Sequence, residues 1–126
     1  MAQQILLKRA YEKAAESDGF CVLADRLWPR GVSKENARLD MWAKDVAPST
    51  PLRQWFGHDP ERWLEFARRY KIELKETQAR EEIIEIVDRA KQAPAITLIY
   101  GAKDTEHNEA VVLRDILKRR VRSKSR

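Results

Sequence analysis

The feature that most constrains the fold of this chain is a pair of short, almost wholly apolar runs at residues 20–24 and 95–100. A strand with one face in solvent alternates between apolar and polar residues, whereas a strand covered on both faces does not. The long stretch between the runs is dominated by helical patterns, as expected of crossovers between parallel strands. The sequence therefore predicts an α/β fold: a small, mostly parallel sheet of about three strands with four to five helices packed on it.

The first strand and the first helix are predicted from shorter patterns. Residues 4–8 are apolar at their centre and predict a strand that precedes the two runs. Ser33 suits a helix N-cap, and the helix that it would begin carries one apolar stripe. The stripe consists of Leu39, Trp42 and Val46.

Three further helices are predicted after a loop or short turn over residues 48–58, which contains two prolines. Asp59, Pro60 and Glu61 combine an N-cap acid, a proline at N1 and an acid in the first turn. The next helix begins near Thr77, and the last follows Gly101. The residues expected to face inward are Trp63, Phe66, Ala67, Tyr70, Leu74, Ala79, Ile83, Ile86, Val87, Ala90, Ala110, Leu113, Ile116 and Leu117.

The formal net charge of +5 is concentrated at the C-terminal end of the sequence. Residues 118–126 contain six basic residues and no acidic one, which leaves a net charge of −1 for residues 1–117. A dense run of like charges without apolar periodicity cannot bury enough surface to offset its ordering. We therefore expect a single α/β domain over residues 1–121 and a basic, disordered tail over residues 122–126.

Composition argues against several classes of protein. The lone Cys21 lies in an apolar run, which predicts a small buried side chain and fits a reducing cytoplasm. The sequence has no secretory signal and no apolar run near the ~20 residues that a membrane helix requires. His58 and His107 are the only histidines and have no ligand-spaced partner, so we expect no metal and no cofactor. A cytoplasmic protein without membrane association is predicted, and its oligomeric state is left open.

Polar segments follow two of the predicted strands. Residues 25–31 come directly after the second strand, and residues 103–108 come shortly after the third. In parallel sheets, ligands bind beyond the carboxyl ends of the strands, and both segments would leave the sheet at that edge. The sequence therefore predicts that the two segments converge on one ligand site.

Roles can be assigned to the polar and aromatic residues of these segments and of the predicted 48–58 loop. A general acid or base must be able to exchange protons near the operating pH, and guanidinium groups suit anions. Lys103 precedes the last helix, whose N-terminal amides would add to an anion site. Catalytic candidates are Asp25, His58 and His107; ligand-binding candidates are Arg26, Trp28, Arg30, Trp55, Lys103, Asp104 and Asn108.

Each assignment has a structural alternative. Asp25 and Arg26 could form an ion pair that ties the strand end to a loop. Trp28 and Trp55 could cover the edge of the core instead of offering a platform to a flat ring such as a nucleobase. Asp104 could cap the last helix and occupy the amides that an anion would use.

The order of these segments resembles a known family. The matching segments are Asp25-Arg-Leu-Trp-Pro-Arg-Gly31, Arg53-Gln-Trp-Phe-Gly-His-Asp-Pro60 and Leu98-Ile-Tyr-Gly-Ala-Lys-Asp-Thr-Glu-His-Asn-Glu-Ala110. They resemble the YeaO-like branch of the bacterial domain-of-unknown-function family 488, over residues 5–117. The resemblance implies a small cytoplasmic α/β protein and no established activity. Other branches carry a cysteine at the position resembling Tyr100, so cysteine chemistry does not transfer to this chain.

Three functions remain open at this point. The first is a binding protein or enzyme for a small anionic ligand, such as phosphate or a nucleotide-like molecule, with its site at the strand ends. The second is a nucleic-acid-associated, regulatory module that uses the basic tail. The third is a protein-interaction domain.

Overall fold

The computed structural model describes residues 3–124 and has a four-stranded sheet in which every pairing is parallel. The strands are β1 (Gln4–Arg9), β2 (Phe20–Leu23), β3 (Met41–Trp42) and β4 (Ala95–Tyr100), in the order β1-β4-β2-β3. All six residues of β4 are buried, as expected for a central strand covered on both faces. The predicted α/β fold with a small parallel sheet is confirmed.

Five α-helices accompany the sheet: α1 (Lys34–Ala37), α2 (Thr50–Phe56), α3 (Trp63–Glu73), α4 (Thr77–Arg89) and α5 (Glu109–Lys124). Short 3₁₀ helices occupy Glu16–Asp18, Lys44–Val46 and Pro60–Arg62. The predicted start at Asp59 is correct, because its side chain accepts a hydrogen bond from the Glu61 amide at 3.0 Å. The first turn there is 3₁₀, and α3 follows it directly.

The helix predicted to run from Ser33 to Val46 is wrong beyond its first turn. Ser33 does cap a helix, but α1 ends at Ala37, and Arg38 adopts a left-handed conformation with φ of 47°. The Asp40 carboxylate then accepts a hydrogen bond from the Cys21 amide at 2.8 Å, and Met41 pairs with β2. This long-range pairing makes a fourth strand, and it overrides a local pattern that fitted a helix.

The loop predicted over residues 48–58 contains a helix, α2. Ser49 is its N-cap and accepts a hydrogen bond from the Leu52 amide at 3.3 Å, and Pro51 lies in the first turn. Proline suits that position because the first amides of a helix need no partner within the helix. Pro51 therefore helps to begin the helix that it was expected to prevent, and Trp55 lies on a helix, not in a loop.

The two faces of the sheet are covered differently. Alternate residues of the central strands, such as Val22 and Leu98, belong to the main core beneath α2, α3, α4 and α5. On the other face, Cys21, Leu23 and Ile99 form a small cluster covered by Trp28, Leu39 and Trp42. Burial raises the pKa of the Cys21 thiol to about 11, which keeps it protonated at neutral pH.

The predicted start of the tail, at residue 122, falls inside α5, which continues to Lys124. Residues 125–126 lie outside the described residues. Over residues 3–124, no helix is both long enough and apolar enough to cross a membrane.

Candidate functional site

A cavity of about 420 Å³ opens at the carboxyl edge of the sheet, where the segments after β2 and β4 meet α2 and the start of α5. We call it the strand-end cavity. Of the residues singled out from the sequence, seven line it: Asp25, Arg26, Trp28, Arg30, His58, His107 and Asn108. The parallel arrangement of β2 and β4 brings these residues together, as the strand-end reasoning required.

Three of the residues singled out lie elsewhere. Trp55 is half-buried on α2, and the guanidinium carbons of Arg62 and Arg69 lie 5.2 Å and 4.4 Å from its ring centroid. Lys103 is exposed and does not line the cavity. Asp104 does not line it either, but it contacts His107, which does.

Asp25 is held by the strand ends and not by Arg26. Its Oδ2 accepts a hydrogen bond from the Gly101 amide at 2.8 Å, and its carbonyl oxygen accepts one from Trp42 Nε1 at 2.8 Å. A Cβ atom at Gly101 would lie 3.1 Å from the same Oδ2, so a glycine gives this carboxylate the room to approach. The ion pair considered between Asp25 and Arg26 is absent from the described residues.

Glu109, the first residue of α5, pairs with Asp25 inside the cavity. Burial, a hydrogen bond with Asp25 and the negative charge of Asp25 together hold the pKa of the Glu109 carboxyl well above its ordinary value. The positive charge of Arg53 opposes that shift and does not overcome it. Two carboxyl groups this close do not both ionise readily, so the pair retains a proton. We call Asp25 and Glu109 the carboxyl pair.

Three arginines line the strand-end cavity together with the carboxyl pair: Arg26, Arg30 and Arg53. Arg26 donates one hydrogen bond from Nη2 to the Ala47 carbonyl oxygen at 3.2 Å, and its buried Nε has no partner. Within the part of the chain that the structure describes, none of the three guanidinium groups forms an ion pair. Asp25 and Glu109 are the two acidic residues among the cavity-lining residues, so the three arginines outnumber the carboxyl groups there.

Two exposed arginines of α3 do form ion pairs. On α3, the Glu65 carboxylate binds both Arg68 and Arg69 at 2.7 Å. These guanidinium groups and the Glu65 hydrogen bonds lower the pKa of Glu65 to about 2. What distinguishes the strand-end cavity is that three arginines without ion pairs in the described residues line one concave surface.

The two histidines differ in how they are held. His107 Nδ1 lies 2.9 Å from Asp104 Oδ2, and the ring meets Trp63 edge-on with the centroids 5.4 Å apart. Hydrogen bonds from the Glu106 amide and from His107 lower the pKa of Asp104. This arrangement leaves Nε2 as the His107 nitrogen without a carboxylate partner. His58 is exposed, and its φ of 58° is uncommon for a residue other than glycine.

The expected anion site of Lys103 with the N-terminus of the last helix is not formed, because α5 begins at Glu109. Residues 103–108 form a turn in which Asp104 Oδ1 accepts hydrogen bonds from the Glu106 and His107 amides. Asn108 is buried and accepts a hydrogen bond from the Val111 amide at 3.2 Å, so Asn108 and not Asp104 caps the helix.

Aromatic rings form the apolar part of the cavity wall. Trp28 Nε1 donates to the Val32 carbonyl oxygen at 2.6 Å, and its ring meets Trp42 edge-on with the centroids 5.3 Å apart. Phe56 and Phe66 are stacked with centroids 4.3 Å apart. These contacts fix the rings before any ligand arrives, which lowers the entropy cost of binding against them.

Sequence reasoning missed Arg53 and Glu109. Arg53 was overlooked because residues 48–58 were predicted to be a loop rather than a helix that faces the strand ends. Glu109 was not singled out, because no local pattern distinguishes it from the nearby Glu106. The sequence offered one signal for Arg53: a basic residue two positions after Pro51, near the start of a helix. That signal could be used only if α2 was predicted first.

Comparison with known proteins identifies one matching family. The model of the family DUF488-N3i, described as "Inactive DUF488-N3 subclade", matches residues 4–126. The chain is 43% identical over 114 residues to "Uncharacterized protein YeaO" of Escherichia coli strain K12, which covers 90% of this chain and 96% of the relative. It is 38% identical over 114 residues to "Uncharacterized protein Mb3100c" of Mycobacterium bovis, which covers 90% and 93% respectively. No solved structure matches the chain.

Proposed function

Since the chain belongs to the YeaO-like part of the DUF488 family, in a subclade described as inactive, we propose that it binds a small anionic ligand in the strand-end cavity. The description of the subclade as inactive favours ligand binding over catalysis. It agrees with a cavity in which Asp25 is engaged by the Gly101 amide and by Glu109, and in which His107 is engaged by Asp104.

The observation that carries this proposal is the set of three arginines without ion pairs around one cavity. Three guanidinium groups that line one cavity without ion pairs in the described residues repel one another, and a bound anion would lower that electrostatic cost. Arginine suits this task because its planar fork can donate two parallel hydrogen bonds to a phosphate or carboxylate. Arg26 Nε, a buried donor without a hydrogen-bond partner in the described residues, adds an unsatisfied donor to the wall of the strand-end cavity.

The size and lining of the cavity support an organic anion. A volume of about 420 Å³ falls within the roughly 300–1,000 Å³ of pockets that enclose small organic ligands. Trp28 and Phe56 offer apolar ring surface beside the guanidinium groups. A phosphate ester of a flat or partly apolar molecule would contact both the guanidinium groups and the aromatic rings.

Phosphate should stabilise the wild-type protein, because a ligand that binds only the folded state adds RT ln(1 + [L]/Kd) to the free energy of unfolding. At a hundred times Kd this is about 2.7 kcal/mol. Arg30→Ala and Arg53→Ala should remove most of that gain while changing stability without ligand by less than about 0.5 kcal/mol, since both side chains are exposed and unpaired. Thermal unfolding at increasing phosphate concentration measures both quantities.

Arg68→Ala is the matched control, because Arg68 is an exposed arginine that already has a carboxylate partner. It should leave the phosphate response unchanged. A wild type that does not respond to phosphate, sulfate or nucleotides, together with a destabilised Arg30→Ala protein, would show that the arginines serve the fold and would refute the proposal.

A second function, nucleic-acid association through the C-terminal end, has one specific observation in its favour. Because α5 extends to Lys124, its basic residues are presented on a helix. Lys71, Lys118, Arg119 and Arg122 line a shallow depression there. Nucleic-acid binding by such a surface would depend steeply on salt concentration.

Truncation after Val121 tests this second function. We expect the free energy of unfolding to change by less than about 1 kcal/mol, since the removed residues carry no apolar stripe. Any binding to DNA or RNA should weaken and lose part of its salt dependence. A full-length variant with Arg122→Gln and Lys124→Gln separates loss of charge from loss of length. If the truncated protein binds nucleic acid as tightly as the full chain, the basic end is not the binding surface.

A further inference from the structure

We infer that the carboxyl pair Asp25–Glu109 recognises hydrogen-bond donors of the ligand, so that the strand-end cavity selects nucleoside monophosphates over inorganic phosphate. This inference rests on the proposed function, because it assigns a second group of the same ligand. It goes further by naming the class of ligand and the residues that discriminate within it.

The cavity has more polar recognition groups than an inorganic anion can use. Three arginines and two carboxyl groups line the same cavity, and they come from the segment after β2, from α2 and from the start of α5. A phosphate bound by the guanidinium groups would be repelled by the Asp25 carboxylate if it lay against the carboxyl pair. The pair therefore suits a different part of the ligand, one that donates hydrogen bonds.

The carboxyl pair retains free acceptor sites. An ionised carboxylate offers about four lone-pair sites. Within the chain, the Gly101 amide and Glu109 occupy some of the lone-pair sites of the Asp25 carboxylate. The remaining sites can accept hydrogen bonds from donors such as the amino group of a base or the hydroxyl groups of a sugar. The raised pKa of the Glu109 carboxyl limits the negative charge of the pair, so the pair does not cancel the attraction of three arginines.

The position of Asp25 is fixed by two hydrogen bonds from neighbouring segments of the sheet. The Gly101 amide fixes the Asp25 carboxylate, and Trp42 Nε1 fixes its backbone, so both β3 and β4 contribute to its placement. Asn108 caps the helix that begins with Glu109. A rigid pair of acceptors discriminates well, because a ligand without the matching donor leaves desolvated oxygen atoms unpaired.

The aromatic wall completes the match to a nucleotide. Trp28 and Phe56 line the same cavity as the carboxyl pair and the arginines. Stacking on an aromatic ring is available to every nucleobase because each has a π-face. A nucleoside monophosphate carries one group for each of the three surfaces: a phosphate, a set of donors and a flat ring.

Calorimetric titration of the full chain tests this inference with three probes: inorganic phosphate, ribose 5-phosphate and the four common ribonucleoside 5′-monophosphates. We expect at least one nucleoside monophosphate to bind at least about tenfold more tightly than inorganic phosphate. Asp25→Asn should reduce that preference to within about threefold while phosphate affinity changes by less than about threefold, because an amide still accepts from Gly101 but presents a donor where the ligand needs an acceptor.

Two Glu109 variants keep the test independent of any folding defect in Asp25→Asn. Glu109→Gln can still donate to Asp25 and should keep the preference, whereas Glu109→Ala cannot and should lose most of it. Arg30→Ala should weaken all the phosphate-containing probes.

The possible failures are distinguishable. If no probe binds, the proposed function and this inference both fail. If phosphate binds but no nucleoside monophosphate binds more tightly, the anion site stands and the inference is refuted. Equal preference in wild type, Asp25→Asn and Glu109→Ala would also refute it, because the selectivity would then come from stacking or from the sugar alone.

Discussion

Replacing Gly19 by Ala should lower the free energy of unfolding by about 3 kcal/mol or more, the largest effect expected of any conservative substitution in this chain. Gly19 has φ of 68° and ψ of −131°, a conformation that side chains with a Cβ rarely adopt. A Cβ atom at this position would lie 2.3 Å from the Ala95 carbonyl oxygen. The substitution therefore forces the start of β2 away from the start of β4.

The close approach of Gly19 to Ala95 lies at the starts of β2 and β4, at the end of the sheet opposite the strand-end cavity. Thr97 Oγ1 donates a hydrogen bond to the Asp18 carbonyl oxygen at 2.6 Å, so the turn before β2 is tied to β4 on both sides of Gly19. Separating the two strands would also disturb the Asp25–Gly101 contact at their other end. We expect lower ligand affinity in any Gly19→Ala protein that folds.

Gly31→Ala is the matched control. Gly31 also has a positive φ, 78°, but a Cβ atom there would meet nothing within 4 Å. Only the backbone penalty applies, so the expected loss is about 1 kcal/mol. Urea denaturation of both variants measures the difference. Equal losses would show that the close approach of Gly19 to Ala95 does not limit the packing of β2 against β4.

Glu109→Gln should make the protein more stable than wild type as pH rises from 5 to 8. The pKa of Glu109 is raised in the folded state, while the ordinary value is 4.5. Above pH 4.5 the unfolded chain loses this proton and the folded chain keeps it, so the folded state binds more protons and stability falls with rising pH. The slope is at most about 1.4 kcal/mol per pH unit and ends at the folded-state pKa. Glutamine has no proton to lose, so the variant does not show this decline.

Other ionisable groups lie near Glu109 and must be considered when the pH dependence of stability is interpreted. Asp25 raises its pKa, Arg53 on α2 lowers it, and the buried hydroxyl of Tyr70 on α3 lies close enough to be affected by Glu109. Glu61→Gln controls for the loss of one acidic residue, because Glu61 is exposed. Urea denaturation at pH 5, 6, 7 and 8 gives the comparison. A constant difference between Glu109→Gln and wild type across this range would mean that Glu109 is ionised in the folded protein.

Local sequence determined much of the architecture. The apolar runs at β2 and β4 predicted buried parallel strands, because a strand covered on both faces needs apolar residues at successive positions. The same runs predicted where polar segments leave the sheet, and this was enough to place Asp25, Arg26 and Arg30 at one edge. The inward residues of α3, α4 and α5 also followed from their spacing, since a helix repeats its buried face every three to four residues.

Only the tertiary structure decided which of these residues meet. The pairing of Met41 with β2 made a strand where local spacing favoured a helix, and α2 brought Arg53 to the cavity from a segment predicted to be a loop. Asp25 has its partners at Gly101 and Glu109, more than seventy residues away in the sequence. Residue type and spacing fix the periodicity of each element. The raised pKa of Glu109 beside Asp25 and the meeting of three arginines in one cavity depend on distances across the fold.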